Sequence, residues 1–270
     1  MKIIVIGGTG LIGSKIVTKL SASGLEAVAA SRNSGVDTMS GRGLADVLAG
    51  ASVVIDVSNP PTFDGAEALE FFETSTRNLL SAGAEAGVRH HIALSVVGTE
   101  RLSESGYMRA KFAQEKLIKD NSIPYSIVHA TQFFESIQKL AGLATDGATV
   151  RVPPVLVQPI AGDDVASMLC NVSVGAPLNS TIEVAGPEQV RADELARRRL
   201  MARHDPREVV SDRRARFFGA EVDERSLLPG ADARLAQTRF EVWLSRSVER
   251  AYATLRSPTP TVSTGRPPTQ

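Results

Sequence analysis

Cysteine is nearly absent: Cys170 stands alone among 270 residues, so no internal disulfide can form. That fits a reducing compartment, and a cytoplasmic protein is expected. Within the apolar helical stretch from Val165 to Val174, the same cysteine reads as a small core residue rather than a nucleophile. An excess of charge is also missing, because 30 basic residues meet 30 acidic ones. No overall field would therefore draw the chain to nucleic acid or to an anionic membrane. No segment approaches the roughly 18 uninterrupted apolar residues of a spanning helix. The apolar start, Met1 to Gly13, is broken by four glycines and runs on into a helical pattern, so an export leader is not expected.

Metal ligands at a usable spacing are lacking too. His90 and His91 are neighbours on a strand, where alternation sends them to opposite faces, while His129 and His204 have no acid or cysteine at a ligand spacing. No metal is expected. Arg197, Arg198, Arg199, Arg203, Arg207, Arg213, Arg214 and Arg216 are interleaved with Glu194, Asp205, Glu208 and Asp212. Without aromatic alternation, that pattern predicts a solvated, salt-bridged face rather than a nucleic-acid surface. No internal repeat is present beyond an alternation of strands and helices.

That alternation is the main positive signal. Strands are predicted over Lys2–Ile6, Glu26–Ala30, Ser52–Asp56, His90–Leu94 and Tyr125–His129, with helices over Leu11–Ser23, Leu44–Leu48, Ala66–Ala86 and Tyr107–Asp120. Right-handed βαβ units and a parallel sheet covered on both faces follow: an α/β, Rossmann-type doubly wound fold. The stretch Thr149–Ile160 reads as a loop-and-strand excursion. Asp163 and Asp164 read as the cap of a helix running to Val174, and Thr181–Ala185 reads as one more strand. From Asp193 a charge-rich helical pattern with anchors at Phe217, Phe218, Phe240 and Trp243 suggests a small, mostly helical C-terminal lobe. The expected organisation is one domain over 1–256, its lobe drawn from about 149–160 and 186–256, and a disordered tail over 257–270.

The first strand runs into Gly7-Gly8-Thr9-Gly10-Leu11-Ile12-Gly13 and then a helix. Glycines in that turn let the backbone approach a diphosphate, which the helix N-terminus attracts. Gly7, Thr9, Gly10, Leu11, Ile12 and Gly13 are therefore candidate cofactor-binding residues. At the end of the second strand an acidic residue would hold the ribose hydroxyls of NAD, but the chain offers Ser31 and Arg32, with no carboxylate before Asp37. A hydroxyl and a guanidinium suit a 2′-phosphate, so NADP (NADPH) is favoured over NAD. Ser58 and Asn59, after the third strand, are placed either to contact the adenosine half or to set up the turn at Pro60.

Ser95 closes the fourth strand, and Tyr107 and Lys111 lie four apart on the next helix. An ammonium beside a phenol lowers its pKa from near 10, and a serine can orient a carbonyl, so the three together suit proton transfer to an alcohol oxygen. Val96, Thr131, Gln132 and Phe133 are candidates for a substrate pocket at the ends of the fourth and fifth strands, while Phe134 reads as core.

The glycine turn, Leu94-Ser95-Val96-Val97-Gly98, Tyr107-Met108-Arg109-Ala110-Lys111 and Ala130-Thr131-Gln132-Phe133-Phe134-Glu135 together resemble the short-chain dehydrogenase/reductase superfamily, and more closely its atypical NmrA-like, NAD(P)-binding branch, over about Lys2 to Trp243. The resemblance implies diphosphate binding at the glycines, NADP through Arg32, and Ser95, Tyr107 and Lys111 as catalytic residues, with Lys111 also on the nicotinamide ribose. The expected function is an NADP-dependent oxidoreductase transferring hydride to or from a small carbonyl or alcohol. The alternatives are a non-catalytic NADP(H) redox sensor or regulatory subunit, and an epimerase-type enzyme on the same fold. A small-molecule substrate and a homo-oligomer are the partners this reading allows.

Overall fold

A computed structural model describes residues 1–137 and 144–256; the tail expected over 257–270 lies outside the described residues. The strands are β1 (Lys2–Ile6), β2 (Glu26–Ala30), β3 (Ala51–Asp56), β4 (His90–Val96), β5 (Tyr125–Ala130), β6 (Thr145–Asp146), β7 (Thr149–Val152), β8 (Leu156–Val157), β9 (Ser180–Ala185), β10 (Val190–Arg191), β11 (Glu208–Ser211) and β12 (Arg234–Leu235). The helices are α1 (Leu11–Ala22), α2 (Leu44–Leu48), α3 (Gly65–Glu85), α4 (Gly106–Lys119), α5 (Gly162–Val174), α6 (Ala192–Met201) and α7 (Phe240–Arg256).

Seven strands form one parallel sheet in the order β12-β9-β5-β4-β3-β1-β2. The apolar runs at Ile3–Ile6 and Val53–Ile55 are buried because helices cover both faces. On one face, α1 and α5 close a core of Ile3, Val5, Ile16, Leu20, Ile92, Val165 and Leu169. On the other, Leu44, Leu48, Leu79, Leu80 and Ile118 from α2, α3 and α4 cover Ile4, Val54 and Ile127. This is the doubly wound architecture that the alternation predicts. The chain reverses direction across the sheet between β1 and β3, and a cleft opens beyond the carboxyl ends of the strands at such a reversal.

The lobe is more mixed than its helical pattern suggests. It contains α6 and α7, but β11 pairs with β7 beside β6, β10 pairs with β8, and β12 adds itself to the edge of the main sheet. Strands of two to four residues carry too little periodicity to be read locally. At α5 the cap position belongs to Ala161, and the two aspartates lie in the first turn. Asp163 receives Lys19 at 2.9 Å, and Asp164 accepts the Thr238 amide at 3.2 Å. Cys170 packs half-buried against the α1 core, where burial pushes its thiol up. The arginine-rich stretch forms ion pairs with Asp193, Glu194, Asp205, Glu221, Glu241 and Glu104. Arg199 departs from the pattern: it is buried over the Trp243 ring, 4.9 Å from the centroid.

His90 is buried in the sheet with Nε2 2.8 Å from the Ser126 hydroxyl and Nδ1 without a partner. Burial, and then the neighbouring His91, pushes its pKa down to about 4. Between that value and its ordinary 6.5 the unfolded chain binds a proton that the folded chain refuses, so stability falls as pH drops through this window. Denaturant titrations are expected to show a loss of up to about 3 kcal/mol from His90 across it. His90→Gln, which keeps a partner for Ser126 but cannot titrate, should flatten that slope; an unchanged slope would remove His90 as its source.

Candidate functional site

A cleft of about 990 Å³ lies along the carboxyl ends of β1 to β5, between the first βα turn and the lobe. Its first half is backbone. Gly7 sits at φ +76°, a conformation that side chains rarely adopt, and a Cβ there would meet Ser58 backbone at 3.0 Å. Gly10 gives α1 no capping side chain, and the first turn of α1 holds no acid, so the positive end of the helix faces the cleft uncompensated. Gly7, Thr9, Gly10, Leu11 and Ile12 line this end, and their donor set fits a diphosphate. Gly13, expected among the binding residues, does not line the cleft. A Cβ on it would run into the carbonyl oxygen of Gly7, so its role is to seat α1 tightly on the turn.

Beyond the turn, Ser31 and Arg32 line the cleft together with Asn33, Asp37, Thr38 and Met39. Ser31 Oγ is buried at the start of a short turn over Arg32–Ser34, and the carboxylate of Asp37 accepts the Met39 amide at 3.0 Å. Asn78 on α3 holds this loop down by donating to the carbonyls of Thr38 and Met39. Ser58 gives both its amide and its hydroxyl to Asp56 Oδ1, at 2.9 and 2.6 Å, and lines the cleft beside Asn59.

The predicted catalytic trio occupies one end of the cleft but is not hydrogen-bonded together. Tyr107 is enclosed by Phe63 and Phe72 edge-on and by Phe218 stacked at 5.4 Å, and its hydroxyl donates to Asn59 Oδ1 at 2.8 Å. Burial pushes its phenol well above the ordinary value, with the Asn59 contact acting the other way. Lys111 is 2% exposed, lies over the Phe72 ring, and donates to the Leu94 carbonyl at 2.8 Å and to Gln114 Oε1. Gln114 in turn donates to Asp56 Oδ2 at 3.0 Å, so a polar chain runs from the end of β3 to the lysine. Burial lowers the Lys111 pKa to about 8, with Asp56 and Glu115 opposing. The geometry therefore departs from the expected lysine-tuned phenolate: the phenol is held protonated among rings, and the ammonium is held elsewhere.

Ser95 also differs from its expected placement. Its hydroxyl donates to Glu115 Oε1 at 2.6 Å, on the α4 side of β4, rather than to Tyr107. The same oxygen meets His129 Nε2 at 2.8 Å and Thr99 at 3.2 Å, and Lys119 reaches Oε2 at 3.4 Å. Burial would raise the Glu115 carboxyl, yet His129, Ser95 and Lys119 together hold it below the ordinary range. His129, which has no acid at a ligand spacing in sequence, has two in space, Glu115 at Nε2 and Glu183 4.0 Å from Nδ1.

Val96, Thr131, Gln132 and Phe133 all line the inner end. Thr131 spends its hydroxyl on the Gln158 carbonyl at 2.6 Å, a structural bond. Phe134 is buried against Phe240 and Trp243, as core. The sequence reading missed Asn59 as the partner of Tyr107, the Asp56–Gln114 chain, and Phe217 and Phe218 as cleft walls. Residues Phe217 to Ala220 make a two-residue hairpin turn with Phe218 at φ +48° and Gly219 at φ +85°. That strained turn lays the Phe218 ring on Tyr107. A Phe-Phe-Gly run is its only local trace.

Among the described residues, no group of three or more His, Cys, Asp or Glu could hold a metal, and no helix is long and apolar enough to cross a membrane. No protein family profile matches the chain. Over 211 residues it is 26% identical to (4-alkanoyl-5-oxo-2,5-dihydrofuran-3-yl)methyl phosphate reductase of Streptomyces griseus, covering 71% of this chain and 70% of that one. It is also 26% identical, over 224 residues and 68% of its length, to the chloroplastic divinyl chlorophyllide a 8-vinyl-reductase of Cucumis sativus, of which the match spans 52%. In structure it is similar to MoeE5 in complex with UDP-glucose and NAD, with TM-score 0.68 and 18% identity over 94% of this chain and 100% of that one. A short-chain dehydrogenase/reductase superfamily protein from Agrobacterium tumefaciens with bound NAD gives TM-score 0.68 at 15% identity, covering 94% and 98%. The dTDP-4-dehydrorhamnose reductase of Bacillus anthracis in complex with NADP gives 0.62 at 14%, covering 94% and 99%. The chain thus has the fold of the atypical short-chain dehydrogenase/reductases, in keeping with the resemblance read from its motifs.

The Asp56–Gln114–Lys111 chain makes its own prediction. Gln114→Leu leaves a buried carboxylate and ammonium without their bridge, and denaturant unfolding should show a loss of roughly 3 kcal/mol. Adding Lys111→Met should recover part of it. A double variant as unstable as the sum of the singles would break the proposed coupling.

Proposed function

We propose that this protein is an NADP(H)-dependent oxidoreductase that reduces the carbonyl group of a small molecule. The observation that carries the reading is the Tyr107 hydroxyl, presented at the inner end of a glycine-floored cleft, kept protonated by aromatic burial and bonded to Asn59. A bound nicotinamide would supply hydride. Gly7, Thr9, Gly10, Leu11 and Ile12 bind the diphosphate through backbone donors and the α1 terminus. Arg32, exposed beside the buried Ser31 hydroxyl, takes the 2′-phosphate, while Asp37, which also lines the cleft, has its carboxylate engaged by the Met39 amide. Tyr107 turns its hydroxyl from Asn59 Oδ1 to the carbonyl oxygen and hands over that proton as negative charge develops there, while Asn59 holds the phenol in place before substrate arrives. Lys111, held by the Leu94 carbonyl and Gln114, keeps a positive charge at the end of β4, and a ribose hydroxyl of the bound cofactor would compete for its third N–H. Phe63, Phe217 and Phe218 exclude water from this end.

The second reading, a cofactor sensor without turnover, draws on the hydroxyl of Ser95 being given to Glu115 and the ammonium of Lys111 to Leu94 and Gln114. It requires unequal affinity for NADP+ and NADPH with no product.

The test is NADPH consumption across a panel of neutral carbonyl compounds. Tyr107→Phe should lower kcat by about 10²- to 10⁴-fold with nucleotide affinity kept; equal turnover in variant and wild type would remove Tyr107 from proton transfer, and no turnover in either would leave the sensor. Separately, Arg32→Ala should raise the KM for NADPH by about tenfold or more and leave that for NADH unchanged. Equal effects on both would take the 2′-phosphate away from Arg32.

A further inference from the structure

Gln132 stands out among the polar residues of the cleft. It is 9% exposed, and neither its Nε2 nor its Oε1 has a hydrogen-bond partner among the described residues. Its neighbour Thr131 is satisfied by the Gln158 carbonyl, and Gln158 itself donates to Gly186, so the surrounding polar groups are accounted for. A buried donor and a buried acceptor left unmet both destabilise a fold. A fold tolerates that where another molecule meets the need. Gln132 is among the residues lining the cleft just after β5, the same inner end that Val96, Phe133, Tyr107, Phe217 and Phe218 wall with apolar surface. No bond holds this amide back, so reaching a group in the cleft would break no contact, and its soft terminal torsion lets either polar atom face that group.

We propose that Gln132 is an amide-recognition residue: it pairs its unmet donor and acceptor with the complementary pair of a carboxamide or lactam lying in the inner end of the cleft. This rests on the reading of the cleft as a nicotinamide-nucleotide site, and it deepens that reading. A neutral amide is the group that offers one acceptor and one donor side by side, matching the Gln132 pair. An anionic headgroup would satisfy Nε2 only and leave Oε1 facing negative charge. Two sources carry this chemistry: the carboxamide of the nicotinamide ring and an amide on the substrate.

The experiment uses the full chain and its Gln132→Leu and Gln132→Met variants, both apolar and close in volume. For the first source, affinities are measured for NADPH, for its 3-acetylpyridine analogue, in which the carboxamide NH2 is a methyl group, and for 2′-phospho-ADP-ribose, which lacks the ring. For the second, reduction of 4-acetylbenzamide is compared with that of methyl 4-acetylbenzoate. In one of these arms the wild type should prefer the amide by about five- to tenfold, as one neutral hydrogen bond gives, and both variants should lose that preference. Affinity for 2′-phospho-ADP-ribose should not change. Melting temperatures of the variants should equal or exceed that of the wild type, since no native bond is lost. Wild-type binding of 2′-phospho-ADP-ribose with no amide preference in either arm, or a preference that survives both substitutions, overturns the proposal while leaving the nucleotide site standing. A fall of many degrees in both variants shows that the fold itself uses the amide, and also overturns it. Failure of the wild type to bind any of the three nucleotides overturns the underlying reading, and this proposal with it.

Discussion

Helix α1 starts where β1 ends because Gly13 lies against the carbonyl of Gly7, and that contact fixes much of what surrounds it. It draws the helix N-terminus down to the sheet, sets Gly7 at a positive φ, and brings Gly7 within van der Waals reach of the Ser58 backbone at the end of β3. The reversal of strand order between β1 and β3 then leaves a cleft whose floor is backbone N–H and helix dipole rather than side chain. A methyl group at either glycine would push the helix or the neighbouring turn outward, so the steric limit on this junction is also the shape of the site.

At the opposite end, desolvation governs. Tyr107 and Lys111 share Phe72, one edge-on and one over the ring face, yet they answer to different partners. The ring enclosure favours the neutral phenol, and the chain through Gln114 to Asp56 favours a charged lysine against its burial. With the ammonium directed at Leu94 and Gln114 rather than at the phenol, burial outweighs charge proximity, and the tyrosine is an acid rather than a poised phenolate.

The lobe contributes more than a cover. Its strands extend the sheet at β12 and form a small sheet of their own, and a turn with strained backbone carries Phe218 onto Tyr107. The inner end of the cleft therefore has walls from three distant stretches of chain: the loop after β3, the end of β5, and the lobe.

Taken alone, the order of residues determined the parallel sheet, its helices to within a residue or two, and the glycine turn with its place at the first βα junction. Those features are local: an unbroken apolar run, a 3.6-residue period and a cluster of glycines each act within a dozen residues. Tertiary structure decided the rest of the site. Helical spacing put Tyr107 and Lys111 on one face of α4, but the rotation of that face against Phe72 and the strands determined which groups each side chain meets. Ser95 faces Glu115 and His129 because alternation along β4 turns its hydroxyl toward α4, and the histidine arrives from the neighbouring strand 34 positions away. The same holds for Gln132, whose want of a partner becomes visible only once every neighbouring donor and acceptor has been placed around it.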